Sequence, residues 1–280
     1  MNKEQLRDLI LRKKSVLCVG LDTDINKIPQ FFREQYAGGD VVFEYNKRII
    51  DAVLPYAVAF KPNLAFYESR GLTGWESLKK TMDYIDSKDN DVFCIADAKR
   101  GDIGNTSGQY AKAFFDSSQS GFNFDAVTVA PYMGVDSVSP FLEFDNKWVI
   151  ILVLTSNPGA DDFQTHDFSD GDKLFEKVLK TSSQWGNSDN TMYVIGATRS
   201  EMLKRVRELV PDHFLLIPGV GAQGGNLEEV LNLGWNNFGG ILINASRSII
   251  FANGEEDFAE AAAAEAKKLQ SIMSSFISAQ

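Results

Sequence analysis

The segment Asp97-Ala98-Lys99-Arg100-Gly101-Asp102 sets two carboxylates close to an ammonium, directly after the apolar run Val92–Ala96. Residues two apart on a strand share a face. Asp97 and Lys99 are therefore expected side by side, with Asp102 past a glycine where the chain turns toward a helix. Lys61, at the end of another apolar run, adds a second ammonium, and Asp22 adds a third carboxylate. Groups of alternating sign keep one another ionised. The same residue types could form a structural ion-pair network, but charge gathered at the ends of three successive runs favours a reaction site. A Schiff-base lysine needs a neutral amine, promoted by apolar or cationic surroundings. Flanking carboxylates promote the opposite, a charged ammonium able to give up a proton.

These charges need elements to carry them. Short apolar runs recur at Val16–Leu21, Ala57–Phe60, Val92–Ala96, Ala126–Val129, Val149–Leu154, Tyr193–Ile195, Phe214–Ile217 and Gly240–Ile243. They are near-continuously apolar, as parallel strands covered on both faces are. Helical spacing appears between them: Val42, Tyr45, Ile49 and Val53 in Val41–Leu54; Trp75, Leu78, Met82 and Ile85 in Trp75–Ile85; and again in Ser200–Leu209 and Leu227–Leu233. Asn2–Arg12 reads as an N-terminal helix and the Ala-rich Phe258–Ile277 as a closing one. Gln30–Asp40 and Thr155–Asp172 read as irregular insertions. No linker or repeat divides the chain. The expected fold is α/β: a (β/α)8 TIM barrel with an N-terminal helix, one domain over residues 1–280.

In such a barrel, chemistry sits where strands end. The last two ends are rich in glycine and carry an arginine: Pro218-Gly219-Val220-Gly221-Ala222-Gln223-Gly224 and Asn244-Ala245-Ser246-Arg247. The first fits G-x-G-x-x-G, but a dinucleotide fold wants an acidic residue at the next strand end. Here that end is Asn244. Loops after strands seven and eight form the usual phosphate site of a barrel. Glycines let backbone N–H groups approach an anion, Arg247 offers a charge-assisted contact, and Gln223 a neutral donor.

Composition narrows the function further. Lys plus Arg number 28 and Asp plus Glu 38, a formal charge of −10. That balance disfavours nucleic-acid or anionic-membrane partners but not an anionic small ligand in a local cationic pocket. Two cysteines, Cys18 and Cys94, each inside an apolar run, suit neither a disulfide framework nor a four-thiolate zinc site. Two histidines, His166 and His213, make a histidine-based triad or multi-histidine metal site a poor fit. The longest apolar run, Trp148–Leu154, is far short of the roughly 20 residues that span a bilayer, so a cytoplasmic protein is expected.

Lys61-Pro62-Asn63, Asp97-Ala98-Lys99-Arg100-Gly101-Asp102-Ile103-Gly104, Thr155-Ser156-Asn157-Pro158-Gly159, Pro218-Gly219-Val220-Gly221-Ala222-Gln223-Gly224-Gly225 and Ser246-Arg247 together resemble the orotidine 5′-phosphate decarboxylase family, in its long, type 2 form. The resemblance runs from the first strand to the last. It implies a homodimeric barrel with shared active sites that uses no metal and no cofactor. The reaction it implies converts orotidine 5′-monophosphate to UMP and CO2, the last step of de novo pyrimidine nucleotide synthesis. In that reading Lys61, Asp97, Lys99 and Asp102 form the charged network, Asp102 crosses from one subunit to the other, and Lys99 protonates ring carbon C6. Asp22 and Lys61 would hold the ribose. Ser156 or its neighbour Thr155 would meet the pyrimidine, and Gln223, Gly225, Ser246 and Arg247 the phosphate. A metal-dependent sugar-phosphate lyase or epimerase, and a catalytically silent nucleotide binder, are the alternatives.

Overall fold

The computed structural model describes residues 1–88, 92–220 and 225–280. Eight strands, β1 (Leu17–Gly20), β2 (Ala59–Lys61), β3 (Phe93–Arg100), β4 (Ala126–Val129), β5 (Trp148–Leu154), β6 (Thr191–Ile195), β7 (Phe214–Pro218) and β8 (Ile241–Ala245), form a closed barrel in chain order. All eight expected runs are strands. β3 carries a charged tail, Asp97-Ala98-Lys99-Arg100, inside the strand, and β2 ends on Lys61. Nearly every strand residue is buried, as expected where side chains pack on both faces.

The chain divides by packing into two compact units, Leu9–Ala98 with Ala245–Gln280, and Met1–Asp8 with Lys99–Asn244. In the first, the parallel register pairs Gly20 with Lys61 and Phe60 with Cys94. The helix Val41–Val53 starts at Asp40, whose carboxylate accepts from the Phe43 N–H at 3.1 Å, and buries Val42, Tyr45, Ile49 and Val53 as their spacing predicts. It also buries Asn46. The Tyr45 ring stacks on Phe258 at 4.7 Å, Phe32 meets both edge-on, and the Tyr45 hydroxyl donates to the Ile250 carbonyl. Phe32 belongs to a short helix, Gln30–Gln35. The stretch Gln30–Asp40, expected to be irregular, therefore begins as a helix, because Phe32 has an aromatic cluster to enter. The closing helix spans Phe258–Ile277 as expected, while Trp75–Ile85 extends to Leu72–Asp86.

In the second unit, register pairs Val127 with Val149, Ile151 with Tyr193, Val194 with Leu216 and Ile217 with Ile243. The N-terminal ammonium reaches Asp125 at 2.6 Å, and Trp148 donates its indole N–H to the Met1 carbonyl at 2.8 Å. Arg207, on the helix Ser200–Leu209, spreads its guanidinium over five backbone carbonyls: Val210, Pro211, His213, Gly234 and Gly240. Thr155–Asp172 is not wholly irregular either, since Pro158–Asp162 forms a 3-10 turn and Asp167 bridges Lys173. Among the described residues no helix is long and apolar enough to cross a membrane.

Candidate active site

β2 ends in Lys61 and β3 carries Asp97, and the two meet: Lys61 Nζ lies 2.6 Å from Asp97 Oδ2, with the residues 4% and 8% exposed. The backbone dictates the meeting. Past Lys61 the chain stays in register with β3, so that Asn63 bridges Asp97, the Asp97 N–H donates to the Pro62 carbonyl at 3.1 Å, and the Leu64 N–H donates to the Asp97 carbonyl at 3.2 Å. Burial alone would drive the Lys61 ammonium toward neutrality. The negative charges of Asp97 and then Asp22 outweigh it and hold its pKa above the ordinary lysine value. Lys61 is therefore a fixed cation and no Schiff-base amine.

Asp22 follows β1 on a loop anchored from both sides. The Leu21 N–H donates to the Lys61 carbonyl at 3.1 Å. The Tyr67 hydroxyl donates to the Leu21 carbonyl at 3.0 Å, and Thr23 donates to Asn46 at 2.6 Å. Asn46 in turn donates to Tyr67 at 2.9 Å and to Thr81 at 3.1 Å, all of them buried. Asp22 Oδ1 is buried and accepts no hydrogen bond among the described residues. Beneath the charges sits Cys18. Burial, countered by Lys61 but reinforced by Asp97 and Asp22, pushes its thiol up to about 12.

Lys99 departs from the strand geometry that places it beside Asp97. Its φ is +46°, left-handed, so the two-residue alternation stops there. Such a conformation costs a residue with a Cβ about 1–2 kcal/mol. Its side chain is exposed, whereas Asp97 is buried. Asp102 lies three residues on, and its Oδ1 accepts from the Ile103 N–H at 2.7 Å just before the helix Gly104–Phe115.

After β5 the two candidate hydroxyls separate. Thr155 is occupied: its hydroxyl donates to Asn157 at 2.6 Å and accepts from Gln164 at 3.0 Å, while its N–H donates to Gln164 at 2.7 Å. Ser156 lies against the end of β6, where a Cβ on Gly196 would stand 2.7 Å from the Ser156 nitrogen. Only glycine permits that approach. After β7, Gly225 folds back onto Val220 in a parallel bridge; Gln223 lies outside the described residues. After β8, Ser246 precedes a short helix, Arg247–Ile250, and Arg247 is exposed.

Four polar residues escape a reading based on apolar runs: Asn46, Tyr67, Thr128 and Gln164. Thr128 accepts from the Lys99 backbone N–H at 2.9 Å. Its signal was a lone hydroxyl within the run Ala126–Val129, and that of Asn46 an amide on the apolar stripe of its helix.

Known proteins resemble this chain over nearly its whole length. Residues 15–263 match the family model "Orotidine 5′-phosphate decarboxylase / HUMPS family". Orotidine 5′-phosphate decarboxylases of Phocaeicola vulgatus and Christiangramia forsetii are 54% and 55% identical to the chain, with 98% of each sequence covered in both comparisons. The solved OMP decarboxylase of Leishmania donovani superposes with a TM-score of 0.77 at 33% identity, covering 98% of this chain and 99% of that one. A candidate orotidine-monophosphate decarboxylase from Toxoplasma gondii gives a TM-score of 0.82 at 33% identity, covering 98% and 97%. With so much of its length matched, the chain belongs to the orotidine 5′-phosphate decarboxylase / HUMPS family.

Proposed function

We infer that this protein decarboxylates orotidine 5′-monophosphate to UMP and CO2, the closing step of pyrimidine nucleotide synthesis, and that Lys99 is the proton donor. The observation that carries the reading is the buried Lys61–Asp97 pair, with Asp22 acting on the same ammonium. In the reaction the bond between C6 and the carboxylate breaks, CO2 leaves, and the electron pair stays on C6. The Lys99 ammonium stabilises that charge as it develops and then gives C6 its proton. Asp97 faces the departing carboxylate. Two like charges about 4 Å apart repel by about 4 kcal/mol at an effective dielectric near 20, and Lys61 offsets much of this. Enzymes commonly supply about 8–23 kcal/mol, so the larger share falls to stabilising the carbanion.

Each remaining residue takes the role its chemistry fits. Asp22 and Lys61 hold the ribose, the Asp22 carboxylate accepting a hydroxyl. Ser156 meets the pyrimidine, since Thr155 is committed to Asn157 and Gln164. Gln223, Gly225, Ser246 and Arg247 hold the phosphate, whose remote binding energy is available for the reacting centre. The working form is a homodimer in which Asp102 completes the partner's site. Supporting this, Ile103, next to Asp102, is 58% exposed, and Tyr132, Met133 and Val135 are exposed on the segment that Ser107 ties to the same helix through the Ser137 carbonyl. Buried thiols at Cys18 and Cys94 suit a cytoplasmic location.

Lys99→Ala tests the reading. Its kcat, followed by the ultraviolet absorbance of orotidine monophosphate, should fall by about 10⁴-fold or more while UMP still binds. Near-normal turnover removes Lys99 from the mechanism. Mixing inactive Lys99→Ala with inactive Asp102→Asn should restore activity through hybrid dimers. No recovery after verified subunit exchange rules out the shared site.

A further inference from the structure

Among the described residues three non-glycine residues have positive φ: Lys14, Asn146 and Lys99. Lys14 terminates the helix Lys3–Lys13 and Asn146 sits in a turn, both ordinary places for a left-handed residue. Lys99 lies inside β3, where nothing in a strand calls for it. Glycine would adopt this φ freely, and asparagine more readily than lysine. A strained conformation in a bulky residue persists only where the surroundings over-determine it.

The surroundings here come from the next strand. The Lys99 N–H donates to the Thr128 hydroxyl at 2.9 Å. One residue later the backbone itself is tied, with the Ala130 N–H donating to the Arg100 carbonyl at 2.7 Å. At Gly101 the chain passes so near β4's end that an added Cβ would stand 2.7 Å from the Ala130 carbonyl oxygen. Lys99 is thus held by a side-chain acceptor on one side and a pinned backbone on the other. Thr128 itself is 1% exposed.

We propose that Thr128 is a positioning residue for Lys99: its hydroxyl holds the lysine in the left-handed conformation and thereby sets the direction in which the ammonium leaves the strand. Without that acceptor the N–H needs a new partner, and φ relaxes toward the extended region. The Cβ then swings away from its present line, and the ammonium no longer meets C6. This inference rests on the reading of Lys99 as proton donor.

The test compares Thr128→Val, which keeps shape and removes the hydroxyl, with Thr128→Ser, which keeps the hydroxyl and loses a methyl. Lys99→Ala is assayed alongside. Positioning predicts a 10- to 100-fold fall in kcat for Thr128→Val with KM within about threefold of the parent, because misplacement of a reacting group by about 1 Å costs about that much. Thr128→Ser should recover kcat to within about threefold. A role in packing predicts the reverse order, with valine the better substitute. Wild-type kcat in Thr128→Val, or equal losses in valine and serine variants, overturns the proposal while leaving Lys99 in place if Lys99→Ala is inactive. Normal turnover in Lys99→Ala instead overturns the reading beneath it. Should Thr128→Val fail to fold, Thr128→Ala against Thr128→Ser gives the same contrast, with the same outcomes deciding.

Discussion

Lys61 and Arg207 are both cations largely withdrawn from water, and they are neutralised in opposite ways. Lys61 faces carboxylates: Asp97 at 2.6 Å and the charge of Asp22 nearby raise its pKa against the pull of burial. Among the described residues Arg207 forms no such pair. It rests on five carbonyl dipoles, and burial lowers its pKa to about 10, with Asp212 opposing. Carbonyl dipoles belong to backbone that must be tied anyway, so Arg207 works as a clamp between the ends of neighbouring elements. Carboxylates set beside an ammonium in a barrel mouth gain little stability, because desolvating both charges offsets most of their attraction. Their presence points to chemistry.

The sharpest way to break this contrast is at Lys61. Lys61→Met leaves buried carboxylates without their ammonium, and should cost about 3–5 kcal/mol of stability and about 10³-fold or more in kcat/KM. Lys61→Met combined with Asp97→Leu should regain most of the stability, since an apolar replacement of both partners is often neutral, and none of the activity. If urea denaturation and kinetics recover together, the pair is structural. Arg207→Met should show the converse: a loss of about 2–3 kcal/mol as charged donors vanish from the carbonyls, with kcat per folded molecule unchanged. A fall in kcat without a fall in thermal midpoint would make Arg207 part of the chemistry.

The smallest effect concerns His213, which packs on Tyr193 at 5.3 Å and makes no side-chain hydrogen bond among the described residues. Burial, then Lys3 and Arg207, pushes it down to about 4 from 6.5. The unfolded chain therefore binds this proton first. Stability should be flat above pH about 6.5 and fall by up to about 3 kcal/mol as pH drops toward 4. His213→Leu should remove that slope from the urea midpoints; an unchanged slope assigns it to other groups.

The barrel was legible because every strand is built on an apolar run, and Asp97, Lys61 and Asp22 because each follows one. The helix Gln30–Gln35 was not, since Phe32 is explained only by distant Tyr45 and Phe258. Nor was the left-handed Lys99. Strand alternation is a local rule, and what breaks it is a hydroxyl 29 residues away in sequence. The bonding of Thr155 to Gln164, a loop residue with no pattern of its own, was likewise hidden.

Cys18 has a practical consequence. Sulfur attacks alkylating reagents and disulfides only as thiolate, and a thiol whose pKa stands at about 12 is almost entirely protonated at neutral pH. A sulfur under the influence of the charged centre is thus poorly open to reagents or oxidants. Inactivation by a maleimide would signal local opening of the barrel, and the rate of that labelling would serve as a clock for how often the centre is laid bare.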